Sequence, residues 1–248
     1  VVFPEGEVYH LNERLTPLLD GVAFMAISAQ RDLAKSGTTS RVWIVPTAIR
    51  YRFVDDVRPA LDATLTRLER RLLLDPRPGG SLAERIVRVG DVLLTLKEKQ
   101  TLGHAGDGPL APRVAHLIET ILARQEAAHL TGTRREVSVP LRVKALRRHL
   151  LDLRAADVTP PELRAGAQAG LDDVQLALTL YSYPGDYVGE KPTVERVAET
   201  IEKLEEDVEG HSSPKGRRSA RVVFGEPIDV AKAALGARTK AVSGNLTD

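Results

Sequence analysis

From residue 59 to residue 208, apolar side chains recur at steps of three and four, the spacing that lays one stripe along a helix. Leu61, Leu65, Leu68 and Leu72 make the first stripe, stopped by Asp75-Pro76-Arg77-Pro78-Gly79-Gly80. Ser81 and Glu84 have capping-box spacing and open a second helix through Ile86, Val89, Leu93 and Leu96. The glycine-rich stretch Gly103 to Gly108 follows a helix and lacks the lysine of a phosphate loop, so it reads as a flexible linker. A third helix carries Val114, Leu117, Ile118, Ile121 and Leu122 and ends near Gly132. Pro140 starts a fourth, with Val143, Leu146, Leu150 and Leu153 inward. Thr159, Pro160 and Glu162 signal the start of a fifth, and Val194, Val197, Ile201, Leu204 and Val208 form the seam of a sixth that ends at Gly210. No repeat of fixed period is visible in these helices.

The flanks have a different texture. Val1-Val2-Phe3 reads as the end of a buried strand, broken by Pro4-Glu5-Gly6, because proline gives no ladder amide and glycine permits a sharp turn. A helix is predicted over 18–35, with Leu18, Val22, Met25, Ala26, Ala29 and Leu33 at helical spacing. A strand is predicted over 41–53, its run Val42-Trp43-Ile44-Val45 suggesting cover on both faces, with Pro46 forcing a bulge or a strand end. Residues 211–218 read as a mobile linker, 220–224 as a returning strand, Asp229 as the cap of a short helix, and the tail after Gly236 as frayed. The fold class expected is α/β with a large all-helical insertion. Its core comprises 1–58 and 219–248, the insertion 59–218, and residues 1–3, 42–49 and 220–224 share one sheet. The chain opens without methionine, inside a predicted strand, and so reads as the C-terminal part of something longer.

Charge changes the picture by exclusion. With 35 basic and 34 acidic residues there is no excess to hold a polyanion, so no nucleic-acid partner is expected. The absence of cysteine removes disulfides and thiolate metal sites and suits a reducing, cytoplasmic setting. The longest apolar run, Val22 to Ile27, is too short to span a bilayer, so any membrane contact is peripheral. Arg142, Lys144, Arg147 and Arg148 could meet anionic headgroups or form a solvated face. Tyr181, Tyr183 and Tyr187 could be interfacial anchors or could pack a loop over the core.

Phe3-Pro4-Glu5-Gly6, with Arg14, Pro17 and Gly21 after it and Val45-Pro46-Thr47-Ala48-Ile49 further on, resembles the third and fourth motifs of the phospholipid and glycerol acyltransferase family. Val222-Val223-Phe224-Gly225-Glu226-Pro227-Ile228 is similar to that family's closing strand. The resemblance covers about ninety residues and leaves the helical middle unexplained. It implies an acyltransferase-type α/β domain, acyl-CoA or acyl carrier protein as donor, a glycerophosphate or lysophospholipid-type acceptor, no cofactor, and a location peripheral to the inner face of the membrane. Its substrate-binding candidates are Glu5, Gly6, Arg14 and Pro46.

Acyl transfer to an alcohol needs a base, a group to orient that base, and donors for the oxyanion. The family supplies the first two from His-x-x-x-x-Asp. Here the residues five beyond His10, His104, His116, His129, His149 and His211 are Leu15, Pro109, Ile121, Arg134, Arg154 and Gly216, so this chain lacks the pair. Glu7-Val8-Tyr9 also stands where the family has Thr-Arg-Ser, which removes one phosphate-binding arginine. Arg14 then either supplies a phosphate contact through its planar fork or is a surface arginine. The pairs Asp172-Asp173 and Glu205-Glu206 read as solvated helix faces, not catalytic dyads. The other class open to the chain is a non-catalytic binding protein acting through its helical insertion.

Overall fold

The computed structural model describes residues 1–6, 9, 11–130, 138–155, 160–189 and 192–233. In chain order the elements begin with α1 (Gly21–Lys35), β1 (Trp43–Ile44), β2 (Thr47–Phe53), α2 (Arg58–Arg71), α3 (Leu82–Leu102) and α4 (Leu110–His129). They continue with α5 (Val139–Ala155), α6 (Pro161–Tyr181), α7 (Val194–Glu209), β3 (Arg218–Phe224), β4 (Ile228–Asp229) and α8 (Val230–Ala233). The chain is therefore mostly helical, with a few short strands. It divides into two compact units, one of residues 1–8, 12–54 and 217–248 and the other of residues 9–11 and 55–216. The predicted end of α4 near Gly132, the start signal at Thr159 and the tail after Gly236 lie outside the described residues.

In the first unit the strands form an interrupted antiparallel ribbon. β1 pairs with β4 through Trp43↔Asp229 and Ile44↔Ile228, and β2 pairs with β3 from Thr47↔Phe224 to Phe53↔Arg218. Between these ladders two residues, Val45 and Pro46, face three, Gly225, Glu226 and Pro227, which is the count of a bulge. Pro46 has no amide to give a ladder, but its carbonyl accepts from Gly225 N–H at 2.8 Å. At the far end Val54 N–H donates to the Arg217 carbonyl at 2.9 Å. The long intervening segment thus leaves and rejoins this unit at adjacent strand ends, the arrangement in which an inserted domain adds least strain to its host.

Three expectations for this unit change. Val1–Phe3 is exposed and belongs to no strand, because no neighbouring strand among the described residues offers it a ladder. Residues 47–49 do ladder with 222–224, as expected, but Trp43 and Ile44 pair instead with Asp229 and Ile228, so the segments fall in two two-stranded pairings and not one wider sheet. Nor is the run Val42 to Val45 covered on both faces: Trp43 is 51 % and Val45 46 % exposed, while Val42 and Ile44 pack with Ala26, Ile27 and Val230. That alternation is what one covered face produces. The inward stripe of α1 is Ala23, Ala26 and Ile27, which leaves Met25 outside.

In the second unit α5 packs on α6, α6 on α4, and α2 on α7, with α3 touching α2, α4 and α7. Leu117, Ile121, Leu122, Leu146, Leu150, Val174 and Ala177 are wholly buried in the larger core. Leu61, Leu65 and Leu68 of α2 and Ile201 of α7 are equally buried. Burying a side chain of this size stabilises by about 1.5 to 3 kcal/mol, so these stripes fix which helix faces turn inward. Ser81 accepts from Glu84 N–H, as its spacing predicts, and Gly210 closes α7 in the left-handed conformation.

A repeat that the apolar pattern does not reveal lies in the buried charges. Arg85, in the first turn of α3, reaches back to Asp62 at 2.5 Å and Glu69 at 2.9 Å on α2. Arg113, in the first turn of α4, does the same to Asp91 and, at 2.7 Å, to Glu98 on α3. Arg142, in the first turn of α5, meets Glu119 at 2.6 Å and Glu126 at 2.8 Å on α4. In each case the two carboxylates are seven residues apart, two helical turns, and so share one face. The arginines fall at 85, 113 and 142, a period of about 28 residues. Arg85 and Arg113 also bond Thr66 and Thr95, each four residues after the first carboxylate.

These staples revise several readings. Arg142 of the basic cluster is paired and held within the protein. The glycine loop is tied down, since Gly106 N–H donates to Glu98 at 2.8 Å. Glu98 is held below the usual carboxylate range chiefly by the Arg113 hydrogen bond, against desolvation. Glu205 is fully buried and not solvated: it accepts from Lys215 at 2.6 Å and from Ser213 N–H at 3.0 Å, and it also meets Arg67. Burial alone would raise this carboxyl, but the Lys215 and Ser213 bonds outweigh it. They also anchor the stretch predicted to be a mobile linker.

Candidate functional site

Glu5 and Gly6 lie in one tight turn. Gly6 N–H donates to the Phe3 carbonyl at 3.4 Å, and the Pro4 carbonyl accepts from Leu19 N–H at 2.7 Å, which binds the turn to the segment leading into α1. Gly6 has φ +71°, and a Cβ there would stand 2.4 Å from Leu19 Cδ1. The positive φ favours glycine, and a side chain there would also require the Leu19 tip to move. Glu5 is half-buried at the second corner, with no hydrogen-bond partner for its carboxylate among the described residues. It stands in an isolated turn and not, as the sequence suggests, at the end of a strand.

Arg14 is half-buried in the loop before α1, where neighbouring Glu13 pairs with Arg52 of β2 at 3.3 Å. Pro46 is exposed at the break in the ribbon. The structure thus holds Glu5 and Gly6 in a turn closed by Gly6 N–H on the Phe3 carbonyl, and ties Pro46 to Gly225 through the Gly225 N–H on the Pro46 carbonyl. Among the described residues no group of three or more His, Asp or Glu could hold a metal ion, and no helix is long and apolar enough to cross a membrane.

The helical unit holds a second cluster, which the sequence does not signal. Lys203 of α7 is 7 % exposed; its Nζ bonds to Ser182 Oγ and lies 3.8 Å from the centre of the Tyr183 ring. Tyr183 OH in turn donates to Asp207 at 2.6 Å. Lys203 and Asp207 are four residues apart on one helix face, so the tyrosine is clasped between them. Tyr187 OH reaches Glu199 at 2.8 Å, and Tyr181 meets Tyr9 edge to face at 5.7 Å. The three tyrosines therefore pack the loop over the helices.

Burial lowers the Lys203 ammonium to about 8, with Asp207 and Glu206 opposing the shift. Burial, then Asp207, raises the Tyr183 phenol well above its ordinary value. Below pH 8 Lys203 is charged in both folded and unfolded chains. Between pH 8 and its unfolded value of 10.5, the unfolded chain holds the extra proton, so stability rises with pH. Relative to Lys203→Met, the native chain is expected to gain about 2 kcal/mol between pH 7.5 and 9.5, read from urea melts. Above pH 10 the raised Tyr183 reverses the slope, because the unfolded phenol loses its proton first. A flat difference across this window would show Lys203 to be solvated.

No protein-family model, curated protein or solved structure matches the chain.

Proposed function

We propose that this chain is the C-terminal part of an acyltransferase that moves a fatty acyl group from acyl-CoA or acyl carrier protein to a glycerophosphate or lysophospholipid-type acceptor. One observation carries the reading. The segments resembling the family's fourth motif and its closing strand, far apart in sequence, are laddered neighbours whose Pro46 and Gly225 meet at the bulge. The Phe3–Gly6 turn adds a carboxylate without a partner among the described residues, suited to accept from an acceptor hydroxyl. In this reading Glu5 orients the acceptor, Gly6 shapes the loop, Arg14 contacts phosphate, and Pro46 fixes the ribbon break. In this reading the base is a His-x-x-x-x-Asp pair that residues 1–248 do not contain. The protein works in the cytoplasm, peripheral to the inner face of the membrane.

Two measurements test this. The coding sequence upstream of Val1 is expected to specify His-x-x-x-x-Asp, and its absence from the gene would overturn the proposal in favour of a non-catalytic binding protein. Residues 1–248 purified alone are expected to give no acyl transfer from a thioester above background, whereas turnover by this chain would place the base elsewhere.

A further inference from the structure

The Lys203 cluster forms part of the wall of a half-open pocket of about 470 Å³ lined by α3, α4, α6, α7 and the loop after α6. That is within the range of sites that hold small ligands. Most of the wall is aliphatic, with Leu93 and Leu94 from α3 and Leu176 and Leu180 from α6. Two features of it suit an occupant.

The first is the lysine itself. Among the described residues no carboxylate lies within 4.0 Å of Lys203 Nζ, whose neighbours are a hydroxyl and a ring face. Elsewhere in this unit, buried Arg85, Arg113 and Lys215 each meet a carboxylate directly. Asp207 and Glu206 act on this ammonium only from beyond contact distance, and a buried ammonium without an anion in contact is expensive, a penalty that falls when one is bound.

The second is Gly90, in the interior of α3 and on the cavity wall. Glycine costs a helix interior about 1 kcal/mol relative to alanine. Nothing there forbids a side chain, since the nearest atom to an added Cβ is Leu110 Cδ1 at 3.7 Å. Its consequence is open volume beside the leucines. The other charged groups on the wall are Lys97, Asp172 and Asp207, all exposed. Asp207 is already engaged by Tyr183 OH, and Asp172 by Gln168 at 2.9 Å. Lys203 is the buried charge left for a ligand.

We propose that this cavity binds a single-chain fatty carboxylate, with its alkyl chain against Leu93, Leu94, Leu176 and Leu180 and its carboxylate against Lys203 Nζ and Ser182 Oγ. The site stands apart from the acyl-transfer reading, and binding here requires no turnover.

The test is calorimetric titration of residues 1–248 with dodecanoate, dodecanol and acetate below their aggregation limits, at pH 7. Dodecanoate is expected to bind, dodecanol at least about tenfold more weakly, and acetate not detectably, since chain and charge must act together. Lys203→Met keeps the apolar stem and is expected to weaken dodecanoate about tenfold or more while leaving dodecanol unchanged. Gly90→Leu raises helix propensity and fills the cavity, and is expected to weaken both ligands with helical circular dichroism retained. Equal binding of the acid and the alcohol, no effect of Lys203→Met on dodecanoate, or full binding by a folded Gly90→Leu would each overturn the assignment.

Discussion

Arg85→Met is expected to lower the unfolding free energy of the chain by about 3 to 5 kcal/mol, because it removes the bidentate partner of a fully buried carboxylate. Glu69 is 0 % exposed and Arg85 1 % exposed, and two guanidinium nitrogens of Arg85 bond the two Glu69 oxygens at 3.2 and 2.9 Å. What remains for Glu69 is the Arg77 amide at 3.1 Å and Arg88 at 3.6 Å, too little to replace a bidentate partner. The control is the double variant Arg85→Met with Glu69→Met. It removes the orphaned charge and is expected to recover most of the loss, since apolar residues of similar volume can substitute for a buried pair. Urea melts followed at the helical signal decide this. A loss under 1 kcal/mol in the single variant would mean that Glu69 reaches water.

On the proposed acyl-transfer reading, Glu5→Gln introduced into the parent protein is expected to reduce kcat/KM about ten- to a thousandfold, a barrier change of roughly 1.4 to 4 kcal/mol. The amide keeps the shape and removes the charge. The turn does not rely on that side chain, being closed by the Gly6 amide on the Phe3 carbonyl and the Leu19 amide on the Pro4 carbonyl. Melting temperature is therefore expected to stay within a degree or two. If Glu5 only completes the turn, the outcome inverts, with activity kept and stability lost. Gly6→Ala separates the two effects further, because a Cβ there collides with Leu19 and should lower stability as well as activity.

The sequence by itself determined most of the helices of the second unit and much of their inward faces, though it misplaced Met25 and Leu96, which are exposed. Leu61, Leu65 and Leu68, or Leu146 and Leu150, repeat at the helical period, and Ser81 and Gly210 act through hydrogen bonds within a few residues of themselves. The turn at Pro4-Glu5-Gly6 and the break at Pro46 were legible for the same reason: proline and glycine restrict or free the backbone at their own positions. The tertiary structure alone decided what lies opposite those elements. Whether Val1–Phe3 joins a sheet depends on a partner strand, which no local pattern specifies. Whether Glu205, Glu69 or Lys203 is solvated depends on which neighbour supplies a counter-charge, and those neighbours come from other helices. The spacing of Asp62, Glu69 and Arg85, repeated in the next two helices, is written in the chain, but charged residues at helical spacing ordinarily face water. Only packing turns the Arg85–Glu69 and Arg113–Glu98 pairs inward, where the loss of solvation makes the pairing obligatory, while Glu119 of the third set stays exposed.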